Sequence, residues 1–237
     1  YRNPTFLRVE SEFPLLLLYG GNVHGGAYER IKLPADIPEA LAQRYKDKTV
    51  TFESNWSDAG AVETAFGIAR VFGRAGAPLT LQNTQHADAE QWRGHNLIVV
   101  SPPWYNQFVK QLPPLRRFEF AESEALVRMK GAGGKLEEFE PEFSPKGEGL
   151  RTTWAVVSLA PGFSHGTHFL RISGVHLPAT QGAARFITSD EGLRELAQGL
   201  GDPSRLPEQF EVLLRVDTLR GQVTRVSFSR GADTTAR

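Results

Sequence analysis

The chain has 237 residues, of which 40% are hydrophobic, 23% charged and 10% aromatic, a composition typical of a globular protein and not of a disordered or collagen-like chain. Lysine plus arginine and aspartate plus glutamate number 27 each, so no excess of positive charge attracts nucleic acid or an anionic membrane. The absence of cysteine excludes disulfides, thiolate nucleophiles and cysteine-based metal sites.

The N-terminal part of the chain predicts an alternation of strands and helices. The apolar run from Leu15 to Tyr19 ends at a pair of glycines and has the character of a short buried strand. Residues 34–48 carry apolar side chains at helical spacing, and residues 49–56 alternate as a strand does. A second helix is predicted over residues 61–76, with its final glycine in the usual C-terminal place. Strand and helix therefore follow one another from the start.

The next elements repeat this order. Residues 77–83 and 96–100 predict two more strands, and a short helix is predicted between them over residues 86–94. Strands that alternate with helices indicate βαβ units, in which neighbouring strands run parallel. We expect the first 100 residues to form such a sheet.

The second half of the chain is richer in strands. Residues 118–142 alternate at period two around several glycines and predict a β-hairpin insertion with a polar outer face. The elements predicted after it are strands at 154–159 and 169–172 joined by a tight turn, helices at 179–189 and 191–201, and an edge hairpin made of 209–218 and 222–230. We expect the tail at residues 231–237 to be frayed.

These elements predict one α/β domain over residues 1–237, built as an open twisted, mostly parallel sheet with helices on both faces. The hairpin insertion and the C-terminal edge hairpin are additions to that sheet. No apolar run is long enough to cross a bilayer, and we expect no signal or transmembrane segment; the sequence does not indicate a compartment. Because the chain begins at Tyr1 and not at Met, we expect it to be a piece of a longer protein or a processed product.

Three short patterns suggest chemistry that their surroundings do not favour. Residues 162–166 match G-x-S-x-G, but a nucleophile elbow needs a helix after the serine, and a strand is predicted here. His165, His168 and His176 lie close in sequence, yet a strand turns residues three apart to opposite faces, so no metal site is predicted. The glycines around Asn22 lack a phosphate-binding signature. We therefore predict no catalytic residues and no metal ligands.

Two loops are the best candidates for a binding site. One follows the strand that ends at Val100, and the other follows the strand that ends at Ile172. If these strands are parallel, both loops open at the carboxyl edge of the sheet, where ligands bind in open α/β folds. Helix-start amides near Gly182 would add anion-binding donors. The residues predicted to bind a ligand are Ser101, Trp104, Tyr105, Asn106, Ser173, Gly174, Thr180, Gln181 and Gly182. The alternative is that the prolines after Val100 only end the strand and the aromatic side chains pack inward.

The same loops carry a resemblance to a known family. From about Ala61 to Val216 the order of elements resembles an uncharacterised Rossmann-like domain of bacterial, notably acidobacterial, proteins, which is often attached to a winged helix-turn-helix. That family has a strand-end loop similar to Gly-Ser-Pro-x-x-Asn-Pro and a later loop similar to Gly-Thr-x-Ala-Ala. Residues that fit these loops are Ser101, Pro102, Asn106, Thr180 and Ala183, whereas Val100 and Ala179 stand where glycine is expected and the first loop has one extra residue. The resemblance implies a Rossmann-like fold and a sensory or regulatory role, and it names no chemistry.

Three functions follow from these observations. The favoured one is a ligand-binding sensory or regulatory module of a larger bacterial protein, which binds a small polar or anionic molecule and passes its occupancy to an attached output domain. The first alternative is an enzyme that acts on a nucleotide or a related phosphorylated molecule, with Glu63, Glu90 or a histidine as base. The second is a structural module that binds a partner through the 118–142 hairpin. We expect no nucleic acid and no membrane as partners, and the sequence names no cofactor.

Overall fold

The computed structural model describes residues 15–19, 59–77, 79–83, 89–100, 107–121, 125–131, 134–144 and 149–235. These residues contain three α-helices, α1 (Ala59–Arg74), α2 (Leu177–Ile187) and α3 (Asp190–Gly199). Two short 3₁₀ helices lie at Ala89–Trp92 and Gln107–Gln111. The predicted helix over residues 34–48 and the predicted strand over 49–56 lie outside the described residues.

Eleven strands are described, and most of them belong to one sheet. The strands are β1 (Leu15–Tyr19), β2 (Leu79–Asn83), β3 (Asn96–Val100), β4 (Phe118–Ala121), β5 (Leu126–Lys130), β6 (Leu136–Phe139), β7 (Glu142–Phe143), β8 (Leu150–Pro161), β9 (His168–Gly174), β10 (Phe210–Leu219) and β11 (Gln222–Asp233). The larger sheet has eight strands in the order β11-β10-β8-β9-β3-β1-β2, with β7 also paired to β8. Strands β4, β5 and β6 form a separate antiparallel sheet.

The large sheet is mixed, and the prediction of a mostly parallel sheet is wrong. Strands β2, β1, β3 and β9 pair with one another in parallel, whereas the pairs β9–β8, β8–β10 and β10–β11 are antiparallel. Strands make up 44% and helices 26% of the structure. The physical reason is the connections: short turns join β8 to β9 and β10 to β11, and a short turn can only return the chain antiparallel.

One face of the sheet is covered by helices. Side chains of α1, α2 and α3 pack there on the apolar residues of the strands, with Phe72 and Phe186 among the fully buried ones. Val100 and Ile172 point into this layer, and both are 0% exposed. The largest of the three hydrophobic clusters lies on the helical face, because the central strands and all three described helices contribute to it.

In the described part of the chain the opposite face is covered without α-helices, so the prediction of helices on both faces is also wrong. Trp92, Phe108 and Val109 of the two 3₁₀ helices pack there against β3 and β9. The small sheet covers β8 and β10, with Phe139 lying edge-on to Trp154 at a centroid distance of 5.1 Å. The predicted hairpin insertion is thus a three-stranded sheet whose apolar side covers the large sheet, and its period-two pattern is the reason it could not form a helix.

Helix ends follow the chemistry of their residues. Gly76 has a φ of 72°, and the bonds from Gly76 N–H to Gly73 O and from Ala77 N–H to Phe72 O close α1 as predicted. Gly201, with a φ of 96°, ends α3 in the same way. Ser189 caps α3, because its hydroxyl accepts the Gly192 N–H at 3.1 Å.

The C-terminal hairpin is present, but its tail is not frayed as far as the structure describes it. Strand β10 pairs with β11 over their full lengths, and β11 is the edge strand. It continues to Asp233, and the Thr234 N–H donates to Gln209 O at 3.0 Å. The pairing with β10 holds these residues, which composition alone could not indicate.

Candidate functional site

The strands that end at Val100 and Ile172 run side by side in the same direction. Strand β3 pairs with β9 in parallel register, with Val100 opposite Ile172, as the proposed site requires. The segments that follow them then diverge. Phe108, beyond β3, packs on the face opposite the α-helices, whereas β9 leads into α2 on the helical face. Adjacent strands whose connections leave to opposite faces create a crevice at the carboxyl edge of the sheet.

The first predicted loop lies outside the described residues. It comprises Ser101, Trp104, Tyr105 and Asn106, and its role as a binding loop stays a prediction. Its two ends are described, because Val100 ends β3 and the second 3₁₀ helix begins at Gln107.

The second predicted loop is drawn tightly into the junction between β9 and α2. Ser173 and Thr180 are 0% and 2% exposed, and the Thr180 hydroxyl accepts the Gly174 N–H at 3.1 Å. A Cβ atom at Gly174 would stand 2.4 Å from the Thr180 backbone nitrogen, which only glycine avoids. The bond between Gly174 and Thr180 holds the strand end against the first turn of the helix.

Helix α2 begins earlier than predicted, which corrects the expectation of helix-start amides near Gly182. Its first residue is Leu177, so Gly182 lies in the helix interior, where a Cβ would stand 2.8 Å from Val216 Cγ1. Gln181 is partly exposed and has an interaction partner. Pro178, in the first turn, has no N–H to offer an anion. The helix start is thus poorer in free amide donors than the sequence suggested.

His176 lies between the end of β9 and the start of α2, at the carboxyl edge of the sheet, which we call the rim. The sequence-based prediction did not include it among the ligand-binding residues. It is the N-cap residue of α2 in extended conformation, and its side chain makes no capping bond. Its Nδ1 atom lies 3.1 Å from the hydroxyl of Thr153, a residue that is 0% exposed. Partial burial lowers the pKa of His176 below its ordinary value, so the imidazole is neutral at neutral pH.

An exposed aromatic ring stands beside this histidine. Phe143 of β7 is 60% exposed, and its ring lies perpendicular to the His176 imidazole at a centroid distance of 6.1 Å. Arg151 is exposed and lies two residues before Thr153 on β8, so the two side chains leave the same face of the sheet. Phe143 follows the predicted insertion and His176 follows the strand predicted to end at Ile172, so no local pattern joins these residues with Arg151. Only the pairing of β7 and β9 with β8 does so.

Two buried charges hold the segment that follows the first predicted loop. Arg171 and Glu211 lie on either side of Ser158 across β9, β8 and β10, and they are 8% and 6% exposed. Arg171 Nη2 donates to Pro113 O at 2.8 Å. The Glu211 carboxylate accepts the backbone N–H groups of Arg116 and Arg117 at 2.7 and 2.8 Å. Residues 113–117 are therefore fastened to the sheet by side chains of two strands.

The pKa of Arg171 shows the cost of burying its charge. Desolvation lowers this pKa from its ordinary value to about 10, against the opposing effect of the Glu211 carboxylate. The guanidinium therefore remains charged at neutral pH, and its Nε has no hydrogen-bond partner among the described residues. The pair of opposite charges is a structural feature beneath the connecting segment, distinct from the rim that carries His176.

The other sequence patterns have structural roles. The G-x-S-x-G pattern forms the β8–β9 turn, where the Gly162 N–H donates to Thr167 O at 2.7 Å and the Ser164 carbonyl accepts the Thr167 N–H. His165 and His168 are exposed, and no three His, Asp or Glu side chains in the described part of the chain are placed to hold a metal ion. Glu90 is exposed and pairs with Arg93. The Glu63 side chain lies outside what the structure describes.

No family model, curated protein or solved structure matches the chain. The resemblance to a Rossmann-like bacterial domain therefore stays a prediction. Within the described ranges, the helices are all too short or too polar to traverse a lipid bilayer.

Proposed function

We propose that this chain is a ligand-binding sensory or regulatory module, which holds a small polar or anionic molecule at the carboxyl edge of β3 and β9. The observation that carries the proposal is the parallel pairing of Val100 with Ile172, with connections that leave to opposite faces. This is the place where ligands bind in open α/β sheets. Both predicted loops, residues 101–106 and the segment at the start of α2, would contribute to this site.

The way the first loop continues favours a signalling role. Residues 113–117, which follow it, are fastened by Arg171 and Glu211, and Arg116 Nη1 also donates to the Thr234 carbonyl at 2.7 Å. A change in the loop on ligand binding would therefore act on the end of β11 through a short series of hydrogen bonds. An output domain attached beyond β11 would be placed to respond to it.

Thermal unfolding with a panel of small molecules tests the proposal. We would use inorganic phosphate, AMP, ATP, glucose 6-phosphate, citrate and glutamate. A ligand present at 100 times its Kd stabilises the folded state by about 2.7 kcal/mol, which raises the Tm of a chain of this size by about 5–10 °C. Incubation of the bound compound followed by chromatography separates the two readings of the site, because a sensor leaves its ligand unchanged and an enzyme converts it.

A pair of variants locates the site. Asn106→Ala removes an amide from the predicted loop and should weaken binding about tenfold or more, since hydrogen bonds to charged groups contribute about 1.5–3 kcal/mol. Gln198→Ala removes an exposed amide from α3 and should leave the affinity unchanged. If no compound of the panel raises the Tm, or if Asn106→Ala binds as tightly as Gln198→Ala, the proposed site is wrong.

A further inference from the structure

We infer that His176 donates a hydrogen bond from Nε2 to an anionic group of the ligand, with Arg151 supplying positive charge and Phe143 an apolar wall. The inference rests on the proposed function and narrows its ligand class. It predicts a molecule that joins a phosphate or carboxylate to a flat apolar ring. Its basis is the arrangement of these three side chains where β7, β8 and β9 meet.

The first step is the tautomer of His176. Thr153 is fully buried, and the only side-chain hydrogen bond of its hydroxyl among the described residues is the one to His176 Nδ1. If Nδ1 carried the proton, the hydroxyl would accept it and its own hydrogen would lack an acceptor, which is costly in a buried place. The hydroxyl therefore donates to Nδ1, and the proton of the neutral imidazole lies on Nε2.

The second step is the direction in which this donor is available. Thr153 occupies Nδ1, and Phe143 lies edge-to-face with the ring at an interplanar angle of 88°, so two contacts define the orientation of the imidazole. Nε2 has no partner among the described residues, and His176 is partly exposed. An oriented donor with no internal acceptor at the edge of the proposed crevice is suited to a ligand oxygen.

The third step is the charge and shape of the ligand. Arg151 is exposed and lies about 7 Å from Thr153 along β8, the length of two strand residues, so an anion bonded to Nε2 is within reach of its long side chain. Glu142 of β7 is the acidic neighbour on this rim, and it accepts from the Thr152 hydroxyl at 3.5 Å. The exposed ring of Phe143 offers a flat apolar surface, which favours an aromatic ring in the rest of the ligand.

Nitrogen-detected or long-range ¹H–¹⁵N NMR of the full chain, labelled at histidine nitrogen, tests the inference. The probe is phenyl phosphate, the smallest molecule that carries both an anion and a ring, with inorganic phosphate and phenol as its two halves. Spectra of His176→Gln and His168→Gln assign the signals. His168 is the matched control, because it lies at the start of β9 and His176 follows its end.

We expect the free protein to show His176 protonated at Nε2, with a shift of its signals that saturates as phenyl phosphate is added. His168 should not respond. Inorganic phosphate and phenol should each bind at least tenfold more weakly. Arg151→Gln should weaken phenyl phosphate binding about tenfold, and Arg194→Gln, on the exposed side of α3, should not. Since the main measurement uses the wild-type chain, it does not depend on the folding of any variant.

Two results would overturn the inference. One is a His176 protonated at Nδ1 in the free protein, and the other is the absence of any His176 response to phenyl phosphate. If His176 stays silent while a panel compound binds in a manner that depends on Asn106, the proposed function stands and the role of His176 falls. If neither the panel nor phenyl phosphate binds, both proposals fall.

Discussion

Replacing Glu211 with glutamine should destabilise the fold strongly, although the change only replaces one carboxylate oxygen with an amide NH₂ group. The carboxylate is 6% exposed and accepts two backbone N–H groups, those of Arg116 and Arg117. A glutamine side chain has one oxygen where the carboxylate has two, so one of these N–H groups loses its acceptor. That costs about 1–3 kcal/mol.

The second consequence of the change is electrostatic. The bond that survives is no longer charge-assisted, which weakens it by about 1 kcal/mol. Arg171 also loses the opposite charge that raises its pKa. We therefore expect the free energy of unfolding to fall by about 2–4 kcal/mol in total, which overlaps the lower part of the range of about 3–5 kcal/mol found when one member of a buried pair is removed.

Urea denaturation followed by circular dichroism measures this change. With a slope of about 3 kcal/mol per molar urea, the midpoint should fall by about 1 M. Glu138→Gln is the matched control, because this carboxylate is exposed and pairs with Arg128 at 2.8 Å. Its loss should cost no more than about 1 kcal/mol.

A double-mutant cycle with Arg171→Met isolates the charge pair. If Glu211 compensates the buried guanidinium, Glu211→Gln should be less harmful once Arg171 is absent, by about 0.5–3 kcal/mol. Equal midpoints for Glu211→Gln and Glu138→Gln would refute the reasoning. So would strict additivity in the cycle, since it would mean that the two charges do not act on each other.

Three further predictions concern the junction of β9 and α2. Gly174→Ala should lower the free energy of unfolding, measured by urea denaturation, by about 1–3 kcal/mol, because the new Cβ would lie 2.4 Å from a backbone nitrogen. The control Gly67→Ala, where α1 leaves open space for a Cβ, should stabilise the fold by about 0.5–1 kcal/mol. An unchanged stability of Gly174→Ala would contradict the close approach. Thr180→Val should lower the Tm, because the Gly174 N–H loses its acceptor, which costs about 1–3 kcal/mol of stability. Thr180→Ser should retain most of the stability. Equal losses in the two variants would show that the methyl group matters and the hydroxyl does not. Burial lowers the pKa of His176 from 6.5, so the stabilisation by its neutral form is complete above about pH 6.5 and declines as the pH falls through the folded-state pKa. Between about pH 7 and pH 5 the wild type should therefore lose more stability than His176→Gln. Urea midpoints at each pH measure this difference.

Much of the local structure follows from the sequence. Apolar runs on either side of a tight turn predict the strands at 154–159 and 169–172, and helical spacing predicts α1, α2 and α3 to within a few residues. Ser189 and Gly201 mark the two ends of α3 through capping chemistry that involves only near neighbours. These features depend on bonds within a few residues, which is why a single chain reveals them.

The parallel pairing of β3 with β9 was also accessible, because strands of similar apolar character that lead into helices favour parallel neighbours. The sequence also predicted the tight turn between β8 and β9 and the hairpin of β10 and β11, but it predicted neither the pairing of β10 with β8 nor the face that each connection covers. The prediction of a mostly parallel sheet was wrong because the antiparallel strands are as buried as parallel ones. The small sheet covers them on the face where helices were expected. Burial sets a strand's hydrophobic pattern whatever element covers it.

The candidate site divides in the same manner. By itself the sequence determined most of the helices and strands, the caps of α1 and α3, and the two strand ends where we propose the site, all from local hydrogen bonding and periodicity. Only the tertiary structure decided that Thr180 and Gly174 bond to each other, that Phe143 contacts His176, and that His176 bonds to Thr153, two residues from Arg151 on β8. Contacts between residues far apart in the chain depend on register and on which face each strand turns outward, and no local pattern records either of them.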